Sequence, residues 1–370
     1  MPEEKKLENF TELKFEAPEQ WPEQVEFVAV LKEINELIKK FVSMKGAQRL
    51  LVSQWVVSTW FVDHLDYLPY LLITSPTKRC GKTKLMKVLA EIVRFPVMSG
   101  DLTAAATFRV MAKDSPTLLM DEADRYLNSR LDFASILNCG NSRDGRVLRT
   151  AINANGNYGG EIVAFSCFGF KAIAGIKASK ISDTLTDRSI VIELVRKTKQ
   201  MERCRLKQFR EQCEVLRRKL FTLAQQHGAD VAKLINKGDM VFPDDLNDRQ
   251  MDNIEPLWAI AECCADPRTV EKIKEASRRV LTKTETLSQT EAVRLLRDVY
   301  VIVKDYPQTS IGTEDLLTEL RKDPTWVELS AKKLSLFMGE FEIQTFQNSQ
   351  LNNRRCYRVQ PLIDAYKRYH

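Results

Sequence analysis

The stretch Ser75-Pro76-Thr77-Lys78-Arg79-Cys80-Gly81-Lys82-Thr83 decides the fold of this chain. It follows an apolar run, Tyr70 to Thr74, that predicts a buried strand, and it precedes a predicted helix over 82–93. A strand, a tight loop ending in Gly-Lys-Thr and a helix form the context of a phosphate-binding loop. In such a loop the backbone N–H groups and the helix N-terminus face the phosphates. Lys82 would then contact the β- and γ-phosphates, and the Thr83 hydroxyl would ligate Mg²⁺.

One position of the loop departs from the usual motif. The first glycine of the pattern would fall at position 76, where this chain has Pro76. Proline fixes φ near −65°, so we expect the chain to enter the loop by a different turn. All the positions from Ser75 to Thr83, Pro76 included, are predicted to bind the nucleotide.

A second motif, Ser115 to Asp124, is an apolar strand that ends in paired acids. This layout is typical of a Walker B element. Asp121 would hold Mg²⁺, and Glu122 would orient and deprotonate the attacking water. Gly-Lys-Thr alone is common, and an acidic pair after a strand is usually a solvated loop. The order and spacing of the two motifs together favour a site for ATP and Mg²⁺.

The bulk properties exclude several classes of protein. The 370 residues carry a formal net charge of +6, and the eight cysteines and three histidines show no metal-binding spacing. The first residues are charged, which argues against a signal peptide, and no apolar run is long enough to span a bilayer. These observations predict a cytoplasmic protein with reduced thiols and no membrane contact.

Alternating predicted strands and helices indicate an α/β fold with a mostly parallel sheet. The sequence predicts a P-loop NTPase (AAA+-like) core with helical segments and a C-terminal winged-helix-like domain. The last assignment rests on the order helix, helix, strand, turn, strand after residue 291. The predicted division is an N-terminal arm and helical cap over 1–65, the ATPase core over 66–198, a helical, lid-like region over 199–283 and the winged-helix-like domain over 284–370.

Arg188 lies in a segment that joins two predicted strands, 172–176 and 189–194. In ring-forming ATPases an arginine at this place reaches the γ-phosphate held by a neighbouring subunit, where it stabilises the transferring phosphoryl group. The alternative is a surface arginine paired with Asp183 or Asp187. A polar sensor residue is expected near the end of strand 172–176, and Lys177 is the candidate there.

Two groups of cations are candidates for DNA contact. Arg143 and Arg146 flank a predicted hairpin that is about equally well explained as a solvated ribbon. The second group lies in the winged-helix-like segment, where a helix start and a wing could contact phosphates without reading sequence: Lys332, Lys333, Arg354 and Arg355. The same fold can serve as a protein-contact module. The basic run over 196–219 is predicted to be helical and is most often a solvated face.

With these residues the chain resembles the family called domain of unknown function 3631, which occurs in bacteria, phages and plasmids, often at the end of primase–helicase-like proteins. The resemblance runs from about Trp21 to the C-terminus. The segments that carry it are SPTKRCGKT (75–83), PTLLMDEADRY (116–126), LNCGNSRDGRVLR (137–149), KAIAGIK (171–177), DTLTDRSIVIELVRK (183–197) and DNIEPLWAIAECC (252–264). It implies an ATPase core linked to DNA replication or to the maintenance of mobile elements.

These observations predict a Mg-ATP-dependent ATPase that acts on single-stranded or forked DNA as a helicase- or translocase-type motor. The expected assembly is a homo-oligomer, such as a hexameric ring, with a primase or replisome protein as a possible partner class. One alternative is an ATP-gated switch that hydrolyses slowly and docks a protein partner or operator DNA. The other alternative is a non-catalytic scaffold with a vestigial nucleotide site. The intact pair Asp121-Glu122 argues against it, because such a site needs no catalytic glutamate.

Overall fold

The computed structural model describes residues 13–77, 79–99, 103–123, 131–152, 158–175, 183–197, 201–202, 206–288, 291–349 and 353–369. The chain forms two compact units, Met1–Leu287 and Ser288–His370. The predicted finer division of the first unit, at residues 65/66 and 198/199, stays a prediction. Among the described residues, no helix is both long and apolar enough to cross a bilayer.

The first unit alternates helices with strands, as the sequence pattern predicts. It begins with helices α1 (Phe27–Phe41) and α2 (Gly46–Trp60), strand β1 (Tyr70–Thr74) and helix α3 (Lys82–Ala90). It continues with β2 (Pro96–Ser99), α4 (Ala104–Met111), β3 (Thr117–Met120), α5 (Leu131–Cys139), β4 (Arg146–Ile152) and β5 (Tyr158–Ser166). It ends with β6 (Lys171–Ala174), α6 (Asp183–Asp187), β7 (Ser189–Glu193), α7 (Leu206–Lys237), α8 (Asp248–Cys264) and α9 (Pro267–Ser288).

Five of these strands form one parallel sheet in the order β2-β3-β6-β1-β7. The predicted α/β class with a parallel sheet is therefore confirmed. Strands β1, β3 and β6 are buried along their whole length, which explains why they are apolar apart from Thr74, Thr117 and Lys171. Because all five strands are parallel, the loops that follow β1 and β3 leave the sheet at the same edge.

Strands β4 and β5 form a separate antiparallel hairpin, inserted in the chain between β3 and β6. One face of the hairpin packs on α4, where the Phe165 and Phe108 rings lie 4.7 Å apart and Val147 is buried. On the other face Leu148 is 61% exposed and Ile162 is 71% exposed. The hairpin therefore has one face in the core and one apolar face in solvent.

The helices before and after the sheet share one hydrophobic core with it. Helix α2 is buried nearly all round, and its tryptophan Trp55 donates its indole N–H to Pro69 O at 2.9 Å. Gln54, also on α2, donates to Leu257 O on α8 at 2.9 Å. These contacts fix the segment leading into β1 on α2, and α2 on α8.

The basic run is helical only in part. Residues 194–197 and 201–202 lie outside any helix, and α7 begins at Leu206, so the predicted helix start at residue 196 is wrong. Several cations on α7 contact groups of the same unit: Arg210 pairs with Glu91, Arg218 with Glu19 and Lys219 with Glu33. These pairs tie α7 to the N-terminal arm, to α1 and to the end of α3.

Lys171, the first residue of β6, is fully buried. Its ammonium group donates to three backbone carbonyls, those of Gly140 at 3.0 Å, Cys167 at 2.9 Å and Gly169 at 2.9 Å. The group also lies 4.8 Å from the centre of the Tyr70 ring. Lys171 thus joins the start of β6 to the chain on both sides of the hairpin.

We expect Lys171→Met to lower the free energy of unfolding by about 3 kcal/mol or more, because three buried carbonyls lose their donor. The exposed Lys113→Met, also in the first unit, should change it by less than about 0.5 kcal/mol. Chemical denaturation of both variants and the wild type measures the difference. Equal stability of the two variants would contradict the role given to Lys171.

The same lysine predicts a dependence of stability on pH. Burial lowers the pKa of Lys171 to about 7, against 10.5 for an ordinary lysine. Between these values the unfolded chain binds a proton that the folded chain has released, so stability rises with pH at up to ~1.4 kcal/mol per unit. Wild type should therefore gain stability over Lys171→Met as the pH rises from 7 towards 10. A constant difference across that range would contradict the low pKa.

The second unit is a small helical domain with a three-stranded antiparallel sheet. Its elements are α10 (Glu291–Val303), β8 (Ser310–Gly312), α11 (Thr313–Leu320), α12 (Ala331–Gly339), β9 (Phe346–Asn348), β10 (Arg354–Arg358) and α13 (Val359–Tyr369). The sheet order is β8-β10-β9. Trp326 is buried beside α10 and donates its indole N–H to Asp298 at 2.8 Å.

Two elements of this unit were not predicted from the sequence. Strand β8 has only three residues, too few for an alternating pattern to show, and it pairs with β10 through Ile311 and Tyr357. Helix α13 follows β10 directly and packs through Leu362 and Ala365. The predicted strand, turn and strand over 342–357 are confirmed as β9 and β10, although residues 342–345 lie outside the strands.

Candidate nucleotide site

The loop after β1 closes on itself through the side chains of Ser75 and Cys80. Lys82 donates from Nζ to Ser75 Oγ at 2.5 Å, and Ser75 Oγ donates to Thr77 O at 2.7 Å. The Cys80 thiol donates to the same carbonyl at 3.2 Å. Ser75 and Cys80 are buried, whereas Pro76 and Thr77 are exposed. The loop therefore enters through an exposed turn at Pro76 and returns through Cys80 to the helix.

Gly81 sets the end of the loop. Its φ of +96° lies in the left-handed region, where a residue with a Cβ is strained. Arg79 also has a positive φ, of 68°. Gly81 is the N-cap of α3, so the unpaired N–H groups of the first helical turn, including those of Lys82 and Thr83, face the loop. Such a helix start attracts anions.

A cavity of about 340 Å³ opens beside this loop. Four of the described residues that line it are cations and none carries a carboxylate, while the apolar part comes from α1 and from residue 201. The lining residues are Phe41, Val42, Ser43, Arg79, Cys80, Gly81, Lys82, Thr83, Lys84, Lys197 and Met201. The lining thus combines these four cations with three apolar side chains, Phe41, Val42 and Met201, here named the apolar end.

The apolar end is held in place by contacts across the chain. Glu202 N donates to Lys40 O at the end of α1 at 3.2 Å, and Lys84 donates from Nζ to Glu202 O at 2.8 Å. The Phe41 ring meets the Phe209 ring edge-on at 5.1 Å. These contacts place residues 201–202 beside both α1 and α3.

The acidic pair lies at the end of β3. Asp121 directly follows the strand, and its Oδ1 accepts the Glu122 N–H at 3.0 Å. Glu122 is exposed and has a φ of +56°, in the left-handed region. A non-glycine residue there is strained, and such strain is frequent at functional sites. Ala123 N then donates to Ala174 O at 2.9 Å, which fixes the turn against β6.

The sheet register places the pair near the loop. Met120 is level with Ile173 on β6, and Ile173 is level with Leu72 on β1. Asp121 is therefore two strand spacings, or about 10 Å, from the matching position near the end of β1. This separation leaves room for a phosphate and a metal ion between the acids and the loop.

Arg188 lies at the opposite edge of the sheet. It precedes β7, whose first residue Ser189 is level with Tyr70, the first residue of β1. The loop after Thr74 is thus about 17 Å further along the strand direction, beyond the reach of an arginine side chain. Arg188 donates from Nη1 to Thr184 O at 2.9 Å, and its Nε is buried with no hydrogen-bond acceptor among the described residues.

The two hairpin arginines differ in their surroundings. Arg143 donates to the carbonyls of Val62 and Leu65, pairs with Asp66 at 3.1 Å and lies over the Phe168 ring. These contacts fix the base of the hairpin on the segment before β1, which gives Arg143 a structural role. Arg146 is exposed and donates to nearby carbonyls at the start of β4.

In the second unit a groove of about 990 Å³ runs between α12 and β10. Lys332, Lys333 and Arg355 line it, and Arg354 is exposed on the same strand. Lys333 also pairs with Glu291 at 2.9 Å. The groove therefore brings together three of the four cations predicted for this unit.

Two predicted site residues, Lys78 and Lys177, lie outside the described residues. Six residues that line the loop cavity were missed by the sequence reasoning: Phe41, Val42, Ser43, Lys84, Lys197 and Met201. Lys84 directly follows the loop motif, whereas the other five come from segments far from the motifs, and no local pattern marks them. Within the part of the chain that the structure describes, no group of three or more metal-binding side chains occurs.

Comparison with known proteins confirms the family resemblance in part of the chain. Residues 194–369, just under half of the chain, match the family described as "Protein of unknown function (DUF3631)". The loop at 75–83 and the acidic pair lie outside these residues, so their assignment rests on geometry. No curated protein matches the chain.

Two solved structures are similar to the chain at low identity. The full-length MCM homolog from Methanopyrus kandleri is 15% identical with a TM-score of 0.41, over 72% of this chain and 64% of that one. The A-form apo structure of the NrS-1 C-terminal region is 12% identical with a TM-score of 0.42, over 93% of this chain and 76% of that one. This chain thus spans less than two thirds of the length of the MCM homolog. Likenesses of this extent assign no activity.

Proposed function

We propose that this chain is a Mg-ATP-dependent P-loop ATPase with an AAA+-like core. The observation that carries the proposal is the cationic cavity at the end of β1, which faces the same sheet edge as the acidic pair after β3. Ligands of parallel α/β sheets bind at the carboxyl edge of the strands. A cavity with four cations and a helix start suits a nucleoside triphosphate.

The residues present also suit a magnesium ion. The Thr83 hydroxyl and the Asp121 carboxylate are oxygen donors, the type of ligand that Mg²⁺ takes together with substrate phosphates and water. Bound there, the ion would neutralise charge on the phosphates. Lys82 binds the β- and γ-phosphates, and Glu122 accepts a proton from the attacking water. The apolar end of the cavity, formed by Phe41, Val42 and Met201, receives the base.

The position of Arg188 supports an oligomer. Because Arg188 cannot reach the loop of its own chain, it can contact a γ-phosphate only in a site formed with a neighbouring copy. We therefore propose that the chain assembles into a homo-oligomer, such as a hexameric ring, in which Arg188 completes the adjacent site.

We propose DNA as the polymer on which the ATPase acts, as a helicase- or translocase-type motor of a phage, plasmid or other mobile element. The order α10, β8, α11, α12, β9, β10 is that of a winged helix, with α12 as the recognition helix and β9–β10 as the wing. Such domains contact phosphates through the start of the recognition helix and the wing, and we give this role to Lys332, Arg354 and Arg355. Arg146 is the exposed candidate on the hairpin of the first unit. A primase or replisome protein is the proposed partner class.

The test of the ATPase is turnover by the wild type, by Lys82→Ala and by Lys87→Ala, each with and without single-stranded DNA. Lys87 is exposed on the same helix as Lys82 but does not line the cavity, so it is the matched control. We expect Lys82→Ala alone to lose turnover and the thermal stabilisation by Mg-ATP. The assignment would be refuted if the wild type showed no turnover, or if Lys82→Ala kept the turnover of the wild type.

The effect of DNA separates the motor from the alternative of an ATP-gated switch. Turnover that rises with DNA supports the motor. Turnover that DNA leaves unchanged refutes the motor and favours the switch, with a protein partner for the second unit.

We expect the double variant Arg354→Ala/Arg355→Ala to bind DNA more weakly and with a smaller dependence on salt. Each lost phosphate contact reduces the slope of log affinity against log salt by ~0.7 on single-stranded DNA and ~0.9 on double-stranded DNA. The exposed pair Lys367→Ala/Arg368→Ala, at the end of α13, removes the same charge elsewhere in the unit. Fluorescence anisotropy with labelled DNA at several salt concentrations measures both. Equal losses in the two variants would show a general charge effect instead of a contact surface.

A further inference from the structure

Two cysteines meet at the base of the hairpin. Cys139 ends α5, just before the chain enters β4, and Cys167 directly follows β5. Cys167 is fully buried in a small cluster with Phe108, Ile136 and Val147, and the half-buried Cys139 packs against that cluster. The two residues therefore flank the whole hairpin in the chain and share one cluster in space.

The backbones beside the two thiols are held together by Lys171. Its ammonium group binds Gly140 O, next to Cys139, and Cys167 O, at 3.0 and 2.9 Å. A Cβ placed on Gly140 would lie 2.5 Å from Cys167 O, so only glycine allows this approach. The pairing of the two segments is thus built into the fold and does not depend on the thiols themselves.

The two thiols have different character. The Cys139 thiol donates to Ile136 O at 3.8 Å and the Cys167 thiol to Phe165 O at 4.0 Å. The neighbouring Cys167 thiol, together with the nearby Lys171 ammonium, lowers the pKa of Cys139 to about 7 in spite of partial burial. The neighbouring Cys139 and burial raise the pKa of Cys167. A thiolate that is partly accessible is the form that reacts with oxidants, whereas a buried thiol is protected.

We infer that Cys139 and Cys167 are a modification site, at which a hydroperoxide converts the two thiols into a disulfide that closes the base of the hairpin. Neither residue has a part in the proposed ATPase, so the inference stands or falls separately from that function.

The chemistry takes two steps. The Cys139 sulfur attacks the hydroperoxide, its O–O bond breaks, and sulfenic acid and an alcohol form (water, when the oxidant is hydrogen peroxide). The Cys167 sulfur then attacks the sulfenic sulfur, the S–O bond breaks, and the leaving hydroxide takes the Cys167 proton to form water. Two thiols are oxidised to one disulfide, and one peroxide is reduced.

The consequence for the molecule is a covalent loop from residue 139 to residue 167 that contains β4 and β5. A disulfide that closes such a loop reduces the conformational entropy of the unfolded chain. The oxidised hairpin would keep its base fixed even if the contacts of Lys171 opened.

The experiment treats the full chain with hydrogen peroxide, alkylates the remaining thiols and maps the cysteines by mass spectrometry. We expect a cross-linked peptide pair containing Cys139 and Cys167, lighter by two hydrogen atoms than the two peptides together and cleaved by dithiothreitol. Cys264 is the internal control: burial raises its pKa to about 12, so it should remain a thiol during the peroxide treatment and be alkylated once the chain is unfolded.

The variant Cys167→Ser tests the order of the two steps. Without the second thiol, Cys139 should stop at sulfenic acid, and dimedone should trap several-fold more adduct at Cys139 than in the wild type. Oxidation of Cys139 without any link to Cys167 in the wild type would overturn the inference. So would a Cys139 that reacts no faster than Cys264.

Discussion

The variant Glu122→Gln is expected to bind Mg-ATP as the wild type does and to hydrolyse it ~10²–10⁴ times more slowly. The amide keeps the size and shape of the side chain but cannot accept a proton, and general-base catalysis contributes about this factor. Glu122 is exposed at the carboxyl edge of the sheet. Its backbone has a positive φ, and its N–H donates to Asp121 Oδ1. Turnover assays measure the loss, and thermal shift with Mg-ATP measures binding.

The control for Glu122→Gln is Glu211→Gln, which makes the same change at an exposed position on α7. It should leave turnover unchanged. If Glu122→Gln also kept normal turnover, another residue would have to activate the water. Loss of nucleotide binding in this variant would instead place Glu122 in the binding of ATP.

The second large effect concerns Arg188→Ala. We expect this variant to bind ATP, to assemble and to lose turnover by ~10³-fold or more, the range found for arginines that act on a transferring phosphoryl group. The reason is positional: Arg188 is at the amino edge of the sheet, and the loop of its own chain is at the carboxyl edge. The exposed Arg268→Ala, at the start of α9, is the matched control.

A mixing experiment shows whether Arg188 acts on a neighbour. When Arg188→Ala and Glu122→Gln chains are mixed, some sites combine an intact Glu122 from the first with an intact Arg188 from the second. Turnover should then exceed that of either variant alone. If mixing restored nothing while light scattering showed mixed assemblies, Arg188 would not work between copies.

The sequence predicted the elements that have a local signal. The buried strands are short apolar runs, α1 and α2 have clear apolar faces or full burial, and the loop at 75–83 joins a strand to a helix as the motif requires. The match to the family named above covers residues 194–369 of the chain. Each of these strands, helices and loops is determined by residues that lie close together in the sequence.

The rest depends on contacts between distant segments, which leave little trace in local sequence. The apolar end of the cavity joins Phe41 to Met201, 160 positions apart in the chain. In the sequence, nothing distinguishes Lys171 from other polar residues that begin a strand. In the structure, it donates hydrogen bonds to three carbonyls of the chain around the hairpin. Strand β8 exists because β10 pairs with it. Arg143 reads as a free cation in the sequence, but carbonyls before β1 and Asp66 engage it.

The positions of the tryptophans make the two units distinguishable by their fluorescence. Four of the five, at positions 21, 55, 60 and 258, belong to the first unit, and Trp326 belongs to the second. In a Trp326→Phe variant, the tryptophan emission comes from the first unit alone. Subtracting this emission from that of the wild type gives the emission of the second unit. Two units that unfold separately would then give transitions that do not coincide, whereas one cooperative transition would superimpose them. The emission of Trp326, whose indole N–H donates to Asp298, thus shows whether nucleotide or DNA stabilises one unit or both.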